Sequence, residues 1–257
     1  METIINKINK NELIDQEDFR SLALSFCDKK GFPYLLKDIS FDDDFHDIAA
    51  YKPRSRILVF NFDKVKELAI KTSKSLQQIY GIPDESINHF FNFNLLYVIY
   101  HELRHIEQDY DRDCNVNNNP AFTYLYDISI VAGRDHSIYT KFHDLFPIEI
   151  DANNYGFIYS YMTLLNTDIS PREKKILLLQ VYNSILLRYK IENKKLISPI
   201  ELFNDNVGLI SLEHLFDLIK KSKIDSFDKL VHGLPVSKYD HYKMYVKKNR
   251  TLKTINR

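Results

Sequence analysis

Leu95-Leu-Tyr-Val-Ile-Tyr-His-Glu-Leu-Arg-His-Ile106 decides the reading of this chain. Leu95, Ile99, Leu103 and Ile106 recur at helical spacing and would draw one stripe of a helix into a core, whereas a half-buried strand would alternate. The same helix carries His101 and His105, four residues apart and so on one face. Two imidazoles aimed at one spot are what two ligands of a single metal ion require. Glu102 sits beside His101 around the turn, where its carboxylate can reach a metal-held water without being a ligand. The helical pattern extends over 87–110, with Asp84-Glu85-Ser86 supplying cap and first-turn acids, and it turns the face through Asn94, Val98, His101 and His105 toward a cleft. Two histidines one turn apart can also merely share hydrogen bonds inside a core, so a metal site needs a third protein ligand and an open position.

Working toward the N-terminus, Arg56-Ile-Leu-Val-Phe-Asn-Phe62 is β-branched and aromatic and follows Pro53, which predicts a strand. Tyr34-Leu-Leu-Lys-Asp-Ile39 is a second strand candidate, and 63–80 has helical spacing that ends before Gly81-Ile-Pro83. Working toward the C-terminus, 111–120 reads as a polar loop, and a helix begins near Pro147, whose missing N–H costs nothing in a first turn. Beyond residue 165 the chain reads as helical. Ser170-Pro-Arg-Glu173 and Ser198-Pro-Ile-Glu201 are capping boxes with proline in the first helical position. The first opens a helix over 170–192 with Ile176, Leu177, Leu179, Val181, Ile185 and Leu186 inward; shorter helices follow at 211–221, 226–232 and 237–248. The fold class expected is α+β and predominantly helical: a core over 1–165 with a small sheet, a histidine-bearing helix and a glutamate-bearing helix, and a helical extension over 166–257 packed on it.

Composition narrows the function classes. With 257 residues, 44% hydrophobic and 13% aromatic, the chain has ample material for a core, and 6 Gly and 8 Pro exclude collagen-like or low-complexity classes. Lys+Arg and Asp+Glu are both 35, so the surface as a whole is not built for nucleic acid. Cys27 and Cys114 cannot make a disulfide framework and read as ordinary thiols in a reducing compartment. The first 15 residues have no apolar stretch, and the densest apolar run, Leu95 to Tyr100, is six residues long, so neither a secretory signal nor a membrane span is expected. A cytoplasmic protein without membrane contact is the expectation.

Two places could supply the third ligand. Asp111 stands six residues after His105, but a ligand there requires the chain to turn back sharply at a glycine, and position 108 is Gln108. Glu149, in Phe146-Pro-Ile-Glu-Ile-Asp-Ala-Asn-Asn-Tyr-Gly156, would lie in the first turn of the Pro147 helix. Ala152, Asn153 and Gly156 on the adjoining face would let two helices approach closely enough to share a metal, and Asn153 could orient a ligand histidine. Asp151 is the substitute for Glu149, whose alternative role is that of a first-turn acid on the helix dipole.

His101-Glu-Leu-Arg-His105 followed at a distance by Pro147-x-Glu149-x-x-Ala152 resembles the gluzincin branch of the zincin metallopeptidases, most nearly the small intracellular ImmA/IrrE-type proteins. The resemblance covers roughly residues 50–160. It implies a zinc ion held by His101, His105 and Glu149, Glu102 as general base, hydrolysis of a peptide bond in a protein or peptide substrate, and an edge strand beside the active-site helix, a place Arg56 to Asn61 would fill. Metal-activated water chemistry also needs a second donor to the developing oxyanion, for which His143, Tyr155 and Tyr139 are candidates.

Other features point elsewhere. Phe41-Asp-Asp-Asp-Phe-His-Asp47 lacks the alternation and glycine of a calcium loop and reads as a solvated acidic loop. From 238 to 257 there are seven Lys/Arg against one acid, Asp240, with Tyr239, Tyr242 and Tyr245 interleaved, and the helices flanking Gly233 have a helix-turn-helix outline. Contact with nucleic acid or an acidic partner through that tail, and a catalytically silent scaffold that binds a partner protein, are the rival readings to an enzyme.

Overall fold

The computed structural model describes residues 1–115, 143 and 146–189, with side chains for 1–110, 143, 146 and 148–184. It is mostly helical with one small sheet. The elements are α1 (Glu2–Asn9), α2 (Gln16–Lys29), β1 (Asp38–Phe41), β2 (Ala49–Lys52), β3 (Ile57–Phe60), α3 (Phe62–Tyr80), α4 (Ile87–Asn115), α5 (Pro147–Leu165) and α6 (Pro171–Tyr189). No helix among the described residues is long and apolar enough to cross a membrane.

The sheet has the order β1-β3-β2, with β1 parallel and β2 antiparallel to β3. This corrects two expectations. The strand expected over 56–62 stops at Phe60, because Asn61 caps α3 by accepting the Lys64 N–H at 3.0 Å. That strand is also the central one, paired on both sides, so it cannot be the edge beside the histidine helix; among the described residues the edge strand packed on α4 is β2. The other strand candidate begins later than expected, since Pro33–Leu35 form a short 3₁₀ turn and pairing starts at Asp38. Helices α1 and α2 and strand β2 are not among the sequence expectations. The start of α2 is nevertheless a capping box in which Asp15 accepts from the Asp18 N–H and Asp18 from the Asp15 N–H.

Helix α4 is the axis of the molecule. Leu95, Ile99, Leu103 and Ile106 are fully buried as one stripe, joined by Phe90, Phe93 and Leu96. The sheet closes one end of the core through Phe60, whose ring meets Phe19 edge-on at 5.3 Å and stacks on Phe41 at 6.0 Å. The helix continues through Asp111 to Asn115, where a polar loop was expected. Asn94 does not face a cleft: its amide donates to the Ser73 hydroxyl at 3.3 Å and the Phe90 carbonyl at 2.8 Å.

Helix α5 packs along α4 with no space to spare. A Cβ at Gly156 would lie 2.8 Å from the Tyr97 carbonyl oxygen and 2.9 Å from its ring, while Tyr97 stacks on the neighbouring Phe157 at 4.4 Å. Helix α6 then joins the same apolar cluster through Ile176, Leu177, Leu179 and Val181, as its spacing predicts; the side chains of Ile185 and Leu186, the Ser198 capping box and the later predicted helices lie outside the described residues. The Ser170 capping box forms, with the Ser170 N–H donating to Glu173 at 2.8 Å and the Glu173 N–H to the Ser170 hydroxyl at 3.3 Å. Glu173 also accepts from His89 of α4 at 2.6 Å. Burial alone would raise the Glu173 carboxyl, but His89 and Ser170 outweigh it and bring it from its ordinary 4.5 down to about 2.

Two outcomes follow for stability. Gly156→Ala should destabilise the fold by about 1–3 kcal/mol, since the atom it strikes is backbone and the helix pair must part; thermal unfolding measures this. A carboxyl with a lowered folded-state pKa stabilises above its unfolded value and loses that contribution as pH falls toward the folded one. Glu173→Gln should therefore cost about 1–2 kcal/mol near neutral pH, and its unfolding curve should converge on the wild-type curve as pH falls from 4.5 toward about 2.

Candidate metal centre

The i, i+4 spacing on α4 does what it promises: the Nε2 atoms of His101 and His105 stand 3.1 Å apart with their rings at 83°. Pro147 is in the first turn of α5, which puts Glu149 at the mouth of that helix, and its Oε2 lies 3.4 Å from His101 Nε2 and 3.5 Å from His105 Nε2. The three side chains form a group that could hold a metal ion.

Ligand atoms about 2.0–2.1 Å from a tetrahedral ion lie about 3.3–3.4 Å from one another. The three separations here, 3.1, 3.4 and 3.5 Å, bracket that value. Glu149 Oε2 is buried and makes no hydrogen bond of ordinary geometry among the described residues, having only imidazole nitrogens 3.4–3.5 Å away, and the buried Oε2 of Glu102 has no partner among them. Buried carboxylate oxygens without donors are costly unless a cation is there to be met. Two imidazoles and one carboxylate suit a divalent transition ion and leave coordination positions for water or substrate.

Electrostatics agree with that polarity. Burial would favour the neutral Glu149 carboxyl, yet His105 and His101 hold it well below the usual carboxylate range. Burial likewise opposes a charged His105, but the Glu149 carboxylate prevails and raises that imidazole from 6.5 to about 9. Both shifts have one cause: the buried carboxylate favours positive charge among the ligand atoms around it.

The remaining expected residues separate into groups. Glu102 is buried next to the cluster, its Oε1 4.0 Å from His101 Nε2. His143 comes to the same carboxylate oxygen, with Nε2 3.5 Å from Glu149 Oε2, while its backbone carbonyl accepts the Phe146 N–H at 3.0 Å. Tyr155 is brought elsewhere: its ring stacks on Tyr159 at 4.0 Å, under the Arg104 guanidinium and edge-on to Phe26. Asp151 is taken by Arg104, whose Nε donates to it at 2.6 Å, and so does not substitute for Glu149. Asn153 accepts from the Tyr97 hydroxyl instead of orienting a histidine. Tyr139 lies outside the described residues, as do the side chains of Asp111 and Cys114. Cys27 is a buried packing residue whose thiol burial pushes up to about 12.

Sequence reading missed Gln108, which is fully buried and faces His105 Nδ1 at 2.8 Å. The signal was present, because residues three apart on a helix are neighbours. Comparison with protein-family models, with curated proteins and with solved structures finds no match to this chain.

One equivalent of a divalent transition ion should bind per chain, measured by competition titration, and His105→Ala should abolish stoichiometric binding. Because the ion must displace the proton that His105 holds, affinity should rise as pH is raised from about 6 to about 8.

Proposed function

We propose that the protein is a zinc-dependent metallopeptidase of the gluzincin type, with His101, His105 and Glu149 as metal ligands and Glu102 as general base. The observation that carries this reading is the convergence of three ligand atoms from two facing helices, with the unpartnered Glu102 carboxylate oxygen beside them. A small mixed sheet packed on the histidine-bearing helix is the scaffold that the resemblance to ImmA/IrrE-type proteins implies.

When bound, zinc supplies Lewis acidity, bringing the pKa of a water it holds to about 7 and polarising a carbonyl oxygen. Glu102, held on the helix beside His101 with its Oε1 4.0 Å from the imidazole, takes a proton from the attacking water on its carboxylate. The same carboxylate returns that proton to the amine nitrogen as the C–N bond breaks, which leaves a new carboxyl and a new amine. His143, half-exposed beside Glu149, can donate a hydrogen bond to the carbonyl oxygen as negative charge develops there.

The substrate cradle belongs to β2 and not to β3. The Asn61 N–H donates to the Ile48 carbonyl, so by the antiparallel alternation Ala50 and Lys52 pair with β3 while the backbone groups of Ala49 and Tyr51 point to the outer edge. An extended peptide can add to that edge alongside α4, on which β2 is seated with the Tyr51 hydroxyl 3.4 Å from Asp109.

Glu102→Gln separates an enzyme from a silent scaffold. It should keep its zinc and lose turnover of a peptide or denatured-protein substrate by about 10²–10⁴-fold. Wild-type rates in that variant would eliminate the mechanism.

A further inference from the structure

Gln108 ends in an amide whose two sides are chemically distinct, and its surroundings decide which way it faces. Its Nε2 lies 2.9 Å from the Ile148 carbonyl oxygen and 3.1 Å from Asp151 Oδ2. Both are acceptors, so the NH₂ group must point at them; a flipped amide would set oxygen against two oxygens. Asp151 is itself held by Arg104 Nε at 2.6 Å, and Arg104 by Glu107 at 2.7 Å, so the acceptor that orders the amide cannot swing away. Gln108 Oε1 is thereby left facing His105 Nδ1 at 2.8 Å.

An amide oxygen accepts and never donates. The hydrogen in that contact must therefore reside on His105 Nδ1, so that in the neutral imidazole Nε2 carries the lone pair, directed at His101 and Glu149. We infer that Gln108 is a positioning residue for the metal centre: locked between the Ile148 carbonyl and the Arg104–Asp151 pair, it selects the His105 tautomer and ring orientation that present Nε2 to the ion. The inference rests on the metal-site reading above. It also makes one side chain report to His105 whether α5, which carries both Asp151 and the ligand Glu149, is docked on α4.

The test has two parts: zinc competition against a chromophoric chelator on the full chain, using wild type and Gln108→Met, each checked for folding by circular dichroism, and nitrogen-15 NMR of the wild-type zinc form. Methionine keeps the length and removes acceptor and donors alike. If Gln108 positions His105, methionine should weaken zinc binding by about 10- to 100-fold, and the wild-type zinc form should show a protected hydrogen on His105 Nδ1 with Nε2 on the metal. Methionine binding like wild type overturns the inference, and so does coordination through Nδ1. A wild type that takes up no zinc removes the metal-site reading, and the inference falls with it. Should Gln108→Met fail to fold, the wild-type NMR spectrum alone decides.

Discussion

The close approach of α4 and α5 is the constraint on which the rest depends. Gly156 lies against the Tyr97 carbonyl where any side chain would collide, and this contact sets the separation of the two backbones. At that separation a glutamate in the first turn of α5 reaches two imidazoles on α4; an additional methyl group's width between the helices would leave Glu149 short of them. The small residues of the Pro147 helix thus act through distance.

Polar contacts on the same seam set its register. Arg104 and Gln108 of α4 both bind Asp151 of α5, two residues beyond Glu149. Lys30, the residue that ends α2, adds a contact to Glu107 at 2.8 Å, so the charged side of α4 is neutralised by groups from two neighbouring segments. Charges in such a place add little net stability, because desolvation offsets their attraction, but they penalise any sliding that would unpair them. Helix α5 is held in one place along α4 while the apolar stripe on the opposite side, Leu95 to Ile106, holds α4 in the core.

Much of this was legible in the residues. The α4 stripe, the Gly81 stop after α3, the proline start of α5 and the Ser170 capping box depend on local spacing and chemistry, and all four appear as expected. The elements misjudged are those governed by partners. β2, Ala-Ala-Tyr-Lys, has no apolar run of its own and exists as a strand because β3 pairs with it. Asn61 reads as part of a strand by its neighbours and becomes a cap because a helix follows it. Asn94 shares a helix face with His101 by spacing alone, yet packs against α3 and not toward an opening.

The same division runs through the site. His101, Glu102 and His105 come from one helix, so a spacing of four residues determines their juxtaposition before any tertiary contact is made. Glu149 is 44 residues beyond His105, and a candidate at that distance can be named only by residue type and by the helix start around it. Which of Glu149, Asp151 and Tyr155 reaches the histidines depends on the angular position of each around α5 and on the neighbour that claims it, and His143 arrives from the chain just before that helix. Asp151 is captured by Arg104 and Tyr155 by Tyr159 and Phe26, leaving Glu149 and His143 at the cluster. Local covalent spacing brought His101, Glu102 and His105 together; competition among side chains across a packed interface, which no single segment encodes, decided that Glu149 joined them.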